Sequence, residues 1–243
     1  MSRVTGTKWF RWALAAGVAV VVVVFGGLFV IHLVQGKSAA PLTLPTVTTT
    51  PTVAGSSGDT SSTGSSSGPV EIDGTWKASS GSVAGYRVKE TLFGQSNTAT
   101  GRTSAVTGSF TIAGATVSTG TFSVDLTKVT SDRSQRDGQF QGRIMDTASF
   151  PTAKFALTQP IQLSSVPANG VPVTAQATGD LTLHGVTKSV TFPLSAQRNG
   201  SVIQVLGTIP ITFADWNISN PSGGPATTAD NGSLEFQINF AHA

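Results

Sequence analysis

From about Trp76 onward, apolar residues recur at every second position in short runs. Tyr86, Val88 and Leu92 share one parity; Phe110 and Ile112 follow, then Phe122, Val124 and Leu126, then Phe155 and Leu157. Ile209, Ile211 and Phe213, and finally Leu234, Phe236, Ile238 and Phe240, complete the series. Alternation with period two, bounded by Gly, Asn, Ser or Pro, predicts strands with one face on a core and the other toward water. Residues 179–194 show it most plainly: Leu181 and Leu183 alternate with polar residues, His184-Gly185 interrupts, and Val190, Phe192 and Leu194 resume, which reads as two antiparallel strands joined by a short turn. About eight such segments are present, with no helical run long enough for βαβ units, so the fold class is all-β. One exception is residues 131–145, where Arg136, Phe140 and Ile144 recur at i, i+4 and i+8 and predict a short helix, weakened by Gly138 and Gly142.

A sandwich and a barrel both satisfy this pattern. The barrel is favoured because closure gives every one-faced strand a common interior and removes exposed edges. Pro193 and Pro210 fall inside apparent strands, where proline belongs at edges or bulges; bulges or an incompletely closed wall are expected there.

The first 69 residues are built differently. Residues 9–34 contain a charge-free run of ~20 residues after Arg11, the length of a membrane-spanning helix. Trp9 and Trp12 occupy interfacial positions, and Arg3, Lys8 and Arg11 precede the run, which places residues 1–8 in the cytoplasm and the rest outside it. A cleaved signal peptide competes with this reading, since Ser38-Ala39-Ala40 has the form of a cleavage site. The apolar run is longer than the usual signal core, however, and Pro41 disfavours cleavage. Residues 35–69 are a Ser/Thr/Gly/Pro tract too poor in apolar side chains to order itself. The division expected is a cytoplasmic N-terminus 1–8, a transmembrane anchor 9–34, a disordered linker 35–69 that spans about 30 Å as a coil, and a β-domain 70–243.

Charge and composition sharpen the exclusions. The net charge of +3 is carried wholly by Arg3, Lys8, Arg11 and Lys37 against Asp59, so the β-domain is balanced and no nucleic-acid footprint is evident. With no cysteine, disulfides, thiolate nucleophiles and thiolate metal sites are ruled out. His184 is the one internal histidine of the domain, and no nucleophile-elbow string surrounds any serine, so neither a hydrolytic triad nor a metal site is expected, and no cofactor is.

The wording GDLTLHGVTKSVTF at residues 179–192, together with Gly85-Tyr86-Arg87-Val88, Ser131-Asp132 with Arg136-Asp137, and Phe150-Pro151 followed by Phe155, resembles the YceI-like family across roughly residues 76–240. The resemblance implies a lipocalin-like antiparallel barrel whose apolar tunnel binds, stores or moves an isoprenoid or similar amphiphilic lipid, without catalysis, and it is nearest the membrane-anchored, exported bacterial members. One departure stands out: many members carry aromatic-x-Val-x-His on the first strand, whereas this chain reads Tyr86-Arg87-Val88-Lys89-Glu90. Glu90 is the clearest charged residue of inward parity. A carboxylate there must lie at a wet mouth, pair with a cation such as Arg102 or Arg136, or take up a proton.

The interior set proposed to touch a lipid is Tyr86, Val88, Phe110, Ile112, Phe122, Val124, Phe155, Leu157, Leu181, Leu183, Phe192, Phe236 and Ile238, with Glu90, Arg136 and His184 as head-group or mouth residues. For His184 and Arg136 the structural alternatives are a turn residue and a loop-stabilising ion pair. Periodicity alone favours a barrel filled with its own side chains; the resemblance reverses that preference toward a ligand cavity. Two functions follow: a membrane-tethered lipid-binding barrel, or a solid cell-envelope interaction or stress-protection domain with a protein partner on its outer surface.

Overall fold

Wherever β-branched and aromatic residues alternate with small or polar ones, the chain forms a strand. The structure, a computed structural model, describes residues 38–45, 72–166, 168–224 and 226–243; the anchor expected at 9–34 and most of the expected linker lie outside them. The strands are β1 Gly74–Ala78, β2 Val83–Leu92, β3 Gln95–Thr103, β4 Val106–Ala113, β5 Thr116–Asp125, β6 Thr130–Ser131, β7 Thr152–Leu157, β8 Ile161–Gln162, β9 Val173–Leu183, β10 Val186–Asn199, β11 Val202–Thr212, β12 Ala226–Thr228 and β13 Asn231–His242.

Their pairing closes a barrel of eight staves. β1 and β2 both lie antiparallel on β13, and they pair on the other side with β4 and β3 respectively, so β1–β2 and β3–β4 are two long staves each broken once. The ring then runs through β5, β7, β9, β10 and β11 and returns to β13. Each break is stitched by a hydroxyl. Ser82 Oγ donates to Ser79 O at 2.7 Å and accepts the Asn239 N–H at 3.1 Å, while Thr103 Oγ1 accepts the Ala105 N–H at 3.0 Å. These satisfy backbone groups that the interrupted ladder would leave bare.

The expectation for the prolines resolves toward an open wall. The β10–β11 register runs from Asn199↔Val202 to Leu194↔Gly207 and stops, whereas β10–β9 and β11–β13 continue unbroken through both prolines. Pro193 and Pro210 therefore stand where one neighbour has departed, the edge setting that tolerates a missing donor. The seam is bridged by Lys188 Nζ and Asp215 Oδ1, 2.9 Å apart. The register shift in the sheet lies instead at Thr111/Ile112.

The helix expected at 131–145 is present in two pieces: α1, Ser134–Gln139, runs into a π-helical turn, Phe140–Ile144. Asp137 Oδ1 holds its entrance by accepting from Ser131 N–H at 2.8 Å and Ser131 Oγ at 2.5 Å. Within the tract expected to be a linker, residues 38–45 lie against the outer wall. There the Ala39 N–H donates to Thr100 Oγ1 at 3.2 Å and Gln197 Nε2 donates to Pro45 O at 3.3 Å.

Inside, aromatic rings lie across glycines of the neighbouring stave. Tyr86 faces Gly101, Phe122 faces Gly108 and Phe236 faces Gly207 in register, and Phe155 covers Gly179 diagonally. A Cβ at Gly207 would stand 2.3 Å from Phe236 Cζ, and one at Gly101 2.4 Å from Tyr86 Cε1. The rings are thus laid against the wall. Gly207→Val is expected to push the Phe236 ring off the wall and cost about 1–3 kcal/mol, the usual range for overpacking; urea denaturation of the variant against the parent chain measures it.

Candidate functional site

With the rings flattened and Ala99, Gly120, Ala153, Ala177 and Ala196 on the interior, the barrel encloses a cavity of about 790 Å³. All thirteen residues read from the sequence as interior, from Tyr86 on β2 to Ile238 on β13, line it. One end is sealed by packed side chains: Trp76, Phe110 and Phe240 with Ile72, Ile112, Ile203 and Ile238 form a separate core. Trp76 Nε1 donates to Ile72 O at 2.8 Å, so its one polar group is satisfied. A chain of aromatic contacts climbs from this plug: Phe110–Phe240 at 4.8 Å, Phe240–Phe122 at 5.6 Å, Phe122–Phe155 at 6.3 Å, Phe155–Phe192 at 5.4 Å and Phe192–Phe236 at 5.9 Å between ring centroids.

The other end reaches the surface. Its rim consists of the β2–β3 turn at Phe93-Gly94, the α1 and π-turn segment, and the stretch around Pro221 and Gly223. Glu90 lies just inside, as its parity predicts. Its Oε1 accepts from Asn97 Nδ2 at 2.7 Å and Arg136 Nη2 at 3.1 Å, and Arg136 Nη1 is also paired with Asp132. Of the alternatives, Glu90 takes the ion pair, with Arg136 and not Arg102 as the cation. Arg102 turns outward to Glu235, 2.7 Å from its Oε1. The Arg136-Asp137 motif is split: Arg136 points to the mouth and Asp137 holds the helix entrance.

Tyr86 lies below this collar, stacked on Phe140 with centroids 5.0 Å apart and planes 12° from parallel. Burial pushes its phenol up to about 12, against a weaker opposing pull from Arg136. It stays a neutral phenol. The collar therefore offers hydrogen-bonding groups at the top of an apolar shaft, an arrangement suited to an amphiphile with its chain inward and its polar head at the rim.

His184 does not join the collar. It occupies the β9–β10 turn with φ 47°, its Nδ1 3.2 Å from Trp216 O and its ring edge-on to Phe150 at 4.7 Å. Its placement among the mouth residues is corrected accordingly: the left-handed turn that ends β9 directs the imidazole into a packing niche outside the cavity lining. The interior set also left out lining residues, among them Leu126, Val129, Met145, Ile161, Ile203, Ile209, Ile211, Phe213 and Ile218. Leu126, Ile211 and Phe213 close alternating runs, whereas Val129, Met145 and Ile218 sit in connections at the open end that no alternation marks.

The YceI-like domain model matches residues 76–240. None of the curated proteins matches the chain. A solved polyisoprenoid binding domain from Saccharophagus degradans, implicated in plant cell wall breakdown, is similar at 16% identity with a TM-score of 0.55, covering 70% of this chain and 99% of that one. BcnA of Burkholderia cenocepacia is similar at 18% identity with a TM-score of 0.51, covering 65% of this chain and 95% of its own. At these identities the likeness speaks to the fold.

Tyr86 is the one tyrosine in the chain, so tyrosinate absorbance reports it alone. Its ionisation is expected near pH 12 in the folded protein, above the ordinary ~10. Because the folded pKa is raised, the stability that Tyr86 contributes is whole below pH ~10 and is lost as pH rises from there through the folded value. A spectrophotometric titration with a normal midpoint would contradict this burial.

Proposed function

This chain belongs to the YceI-like family, and we propose that it is an exported, membrane-tethered protein that holds a long-chain isoprenoid or similar amphiphilic lipid inside its barrel, for storage, transfer or protection. The observation that carries the proposal is the hollow, apolar interior with a polar collar at its open end. A volume of about 790 Å³ lies within the roughly 300–1,000 Å³ of ligand pockets. At the ~30 Å³ a water-sized group occupies in a liquid, it has room for on the order of 25 heavy atoms, the size of a chain of four or five isoprene units. Burying ten carbons of such a chain contributes on the order of 8 kcal/mol gross, reduced by the cost of ordering it.

The described polyisoprenoid binding of the Saccharophagus degradans domain supports the choice of ligand class. The apolar run at 9–34 supports the tether, since it has the length and flanking charges of a single membrane-spanning helix with the barrel on the outer side. Binding is favoured over catalysis because His184, the sole internal histidine, faces a backbone carbonyl and an aromatic ring, away from the cavity.

Native mass spectrometry of a detergent-free form beginning at Ser38, followed by organic extraction, is expected to show one bound amphiphile per chain. Leu157→Trp, which fills cavity space from β7, should leave the fold intact and shorten the longest isoprenoid accepted. A protein that arrives empty and takes up neither isoprenoid nor fatty chains would overturn the proposal and favour the outer surface as the functional one.

A further inference from the structure

Residues 38–45 bind the barrel as a strap. Ser38 Oγ donates to Thr98 O, the Ala39 N–H donates to Thr100 Oγ1 at 3.2 Å, Arg87 Nη2 donates to Ala39 O at 2.8 Å, and Arg102 Nη2 donates to Ala40 O. At the far end of the segment Gln197 Nε2 donates to Pro45 O at 3.3 Å. The surface beneath is prepared for it. Thr100, Gln197 and Glu235 are polar and fall on the outward parity of β3, β10 and β13, and yet are 5%, 3% and 5% exposed. The buried Glu235 carboxylate is clamped by Arg87 at 3.3 Å and Arg102 at 2.7 Å, and the same two guanidinium groups hold the strap carbonyls.

The strap has a direction. Its contacts advance along β3 from Thr98 to Arg102, away from the Phe93-Gly94 turn, and end at Gln197, two residues from the end of β10 at the plugged end of the barrel. Its first residue therefore lies on the side of the open mouth. The apolar run ends at Val34, four residues before Ser38, and four residues span at most ~14 Å. From Thr98 the β2–β3 hairpin extends four more residues to Gly94, about 13 Å at strand rise.

The hairpin tip is itself unusual. Phe93 is 51% exposed and holds φ 50°, with Gly94 at φ 77°. A two-residue turn with both φ values positive normally takes Asn-Gly or Asp-Gly, so a solvent-facing phenylalanine there is unfavourable in conformation and in hydration alike. Lys89 on the same hairpin and Arg143 on the rim are exposed and carry no ion pair among the described residues. Exposed Asp146 and Asp230 at the same end carry none either, so it is the aromatic tip, on a rim that also presents cations, that suits a bilayer interface.

We propose that residues 38–45 strap the barrel mouth-down on the membrane, with Phe93 seated in the lipid interface, so that a lipid passes between bilayer and cavity without crossing water. This rests on the tethered lipid-binding reading above. The competing orientation would use Val166 and Val171, 47% and 54% exposed at the plugged end.

The chain has no cysteine, so Phe93→Cys and Val171→Cys each accept a single fluorescent label in the full chain, reconstituted into phosphatidylcholine–phosphatidylglycerol vesicles carrying bromine-labelled acyl chains. The label at position 93 is expected to be quenched several-fold more than that at 171; equal quenching, or more at 171, overturns the proposal. A long Gly/Ser insert between Val34 and Ser38 should lower quenching at 93 to the level at 171 while lipid uptake, read by mass spectrometry, is unchanged. Full quenching despite the insert overturns the role of the strap. Quenching at 93 in a protein that takes up no lipid sinks the lipid-binding reading and leaves the orientation standing.

Discussion

The interior of an eight-stranded barrel is just wide enough for its own side chains to fill, so the seating of its aromatic rings decides whether this molecule is solid or hollow. Tyr86, Phe122, Phe155 and Phe236 each lie over a glycine of the adjacent stave, which turns a bulky side chain into a lining one ring thick. Small residues at other inward positions keep the shaft clear. The hollow forfeits dispersion contacts that a filled core would make. Stability must come instead from the closed hydrogen-bond ladder and from the dense plug of Trp76, Phe110 and Phe240 at one end.

The β2–β3 hairpin joins the polar elements of the molecule. On its inner face Glu90 and Asn97 meet Arg136 of α1; on its outer face Arg87 and Arg102 enclose Glu235 and reach the strap. Both carboxylates are largely withdrawn from water, and both have cationic partners that meet their desolvation. The two clusters lie on opposite faces of the same two strands, so the helix at the mouth and the chain on the outer wall are held by one hairpin.

Strand parity was legible because period two survives along the staves, and each of the thirteen residues it placed inside, with Glu90, lines the cavity, although the lining that β11 contributes through Ile203, Val205, Ile209 and Ile211 was left out of that set. The open seam was legible too, through Pro193 and Pro210. Hollowness was written in the sequence less openly: apolar alternation counts Ala177 and Phe155 alike as inward, and the meaning of Gly101, Gly179 and Gly207 depends on which ring lies across from them, a property of register. His184 was misplaced because a residue in a left-handed turn no longer follows the parity of the strand it ends. The open-end lining from Leu126 to Met145 comes from a 3-10 turn, a short helix and a π-turn, where no single period operates.

The strap shows why composition is a poor guide to reach. A Ser/Thr/Gly/Pro tract reads as one flexible tether, and its length as the freedom of the domain it carries. Leu42 and Leu44, half-buried and spaced by one residue between Pro41 and Pro45, mark a short segment that differs from the tract around it and repeats the strand period in miniature. On the proposed tethering, residues 46–71 join the strap to β1 and add nothing to the distance between membrane and barrel. Closing a long connection costs little more than closing a short one, since the entropy grows only with the logarithm of its length. On the proposed orientation, the few residues between Val34 and Ser38 govern how far the barrel stands from the bilayer, and the low-complexity tract is free to vary in length without moving the mouth.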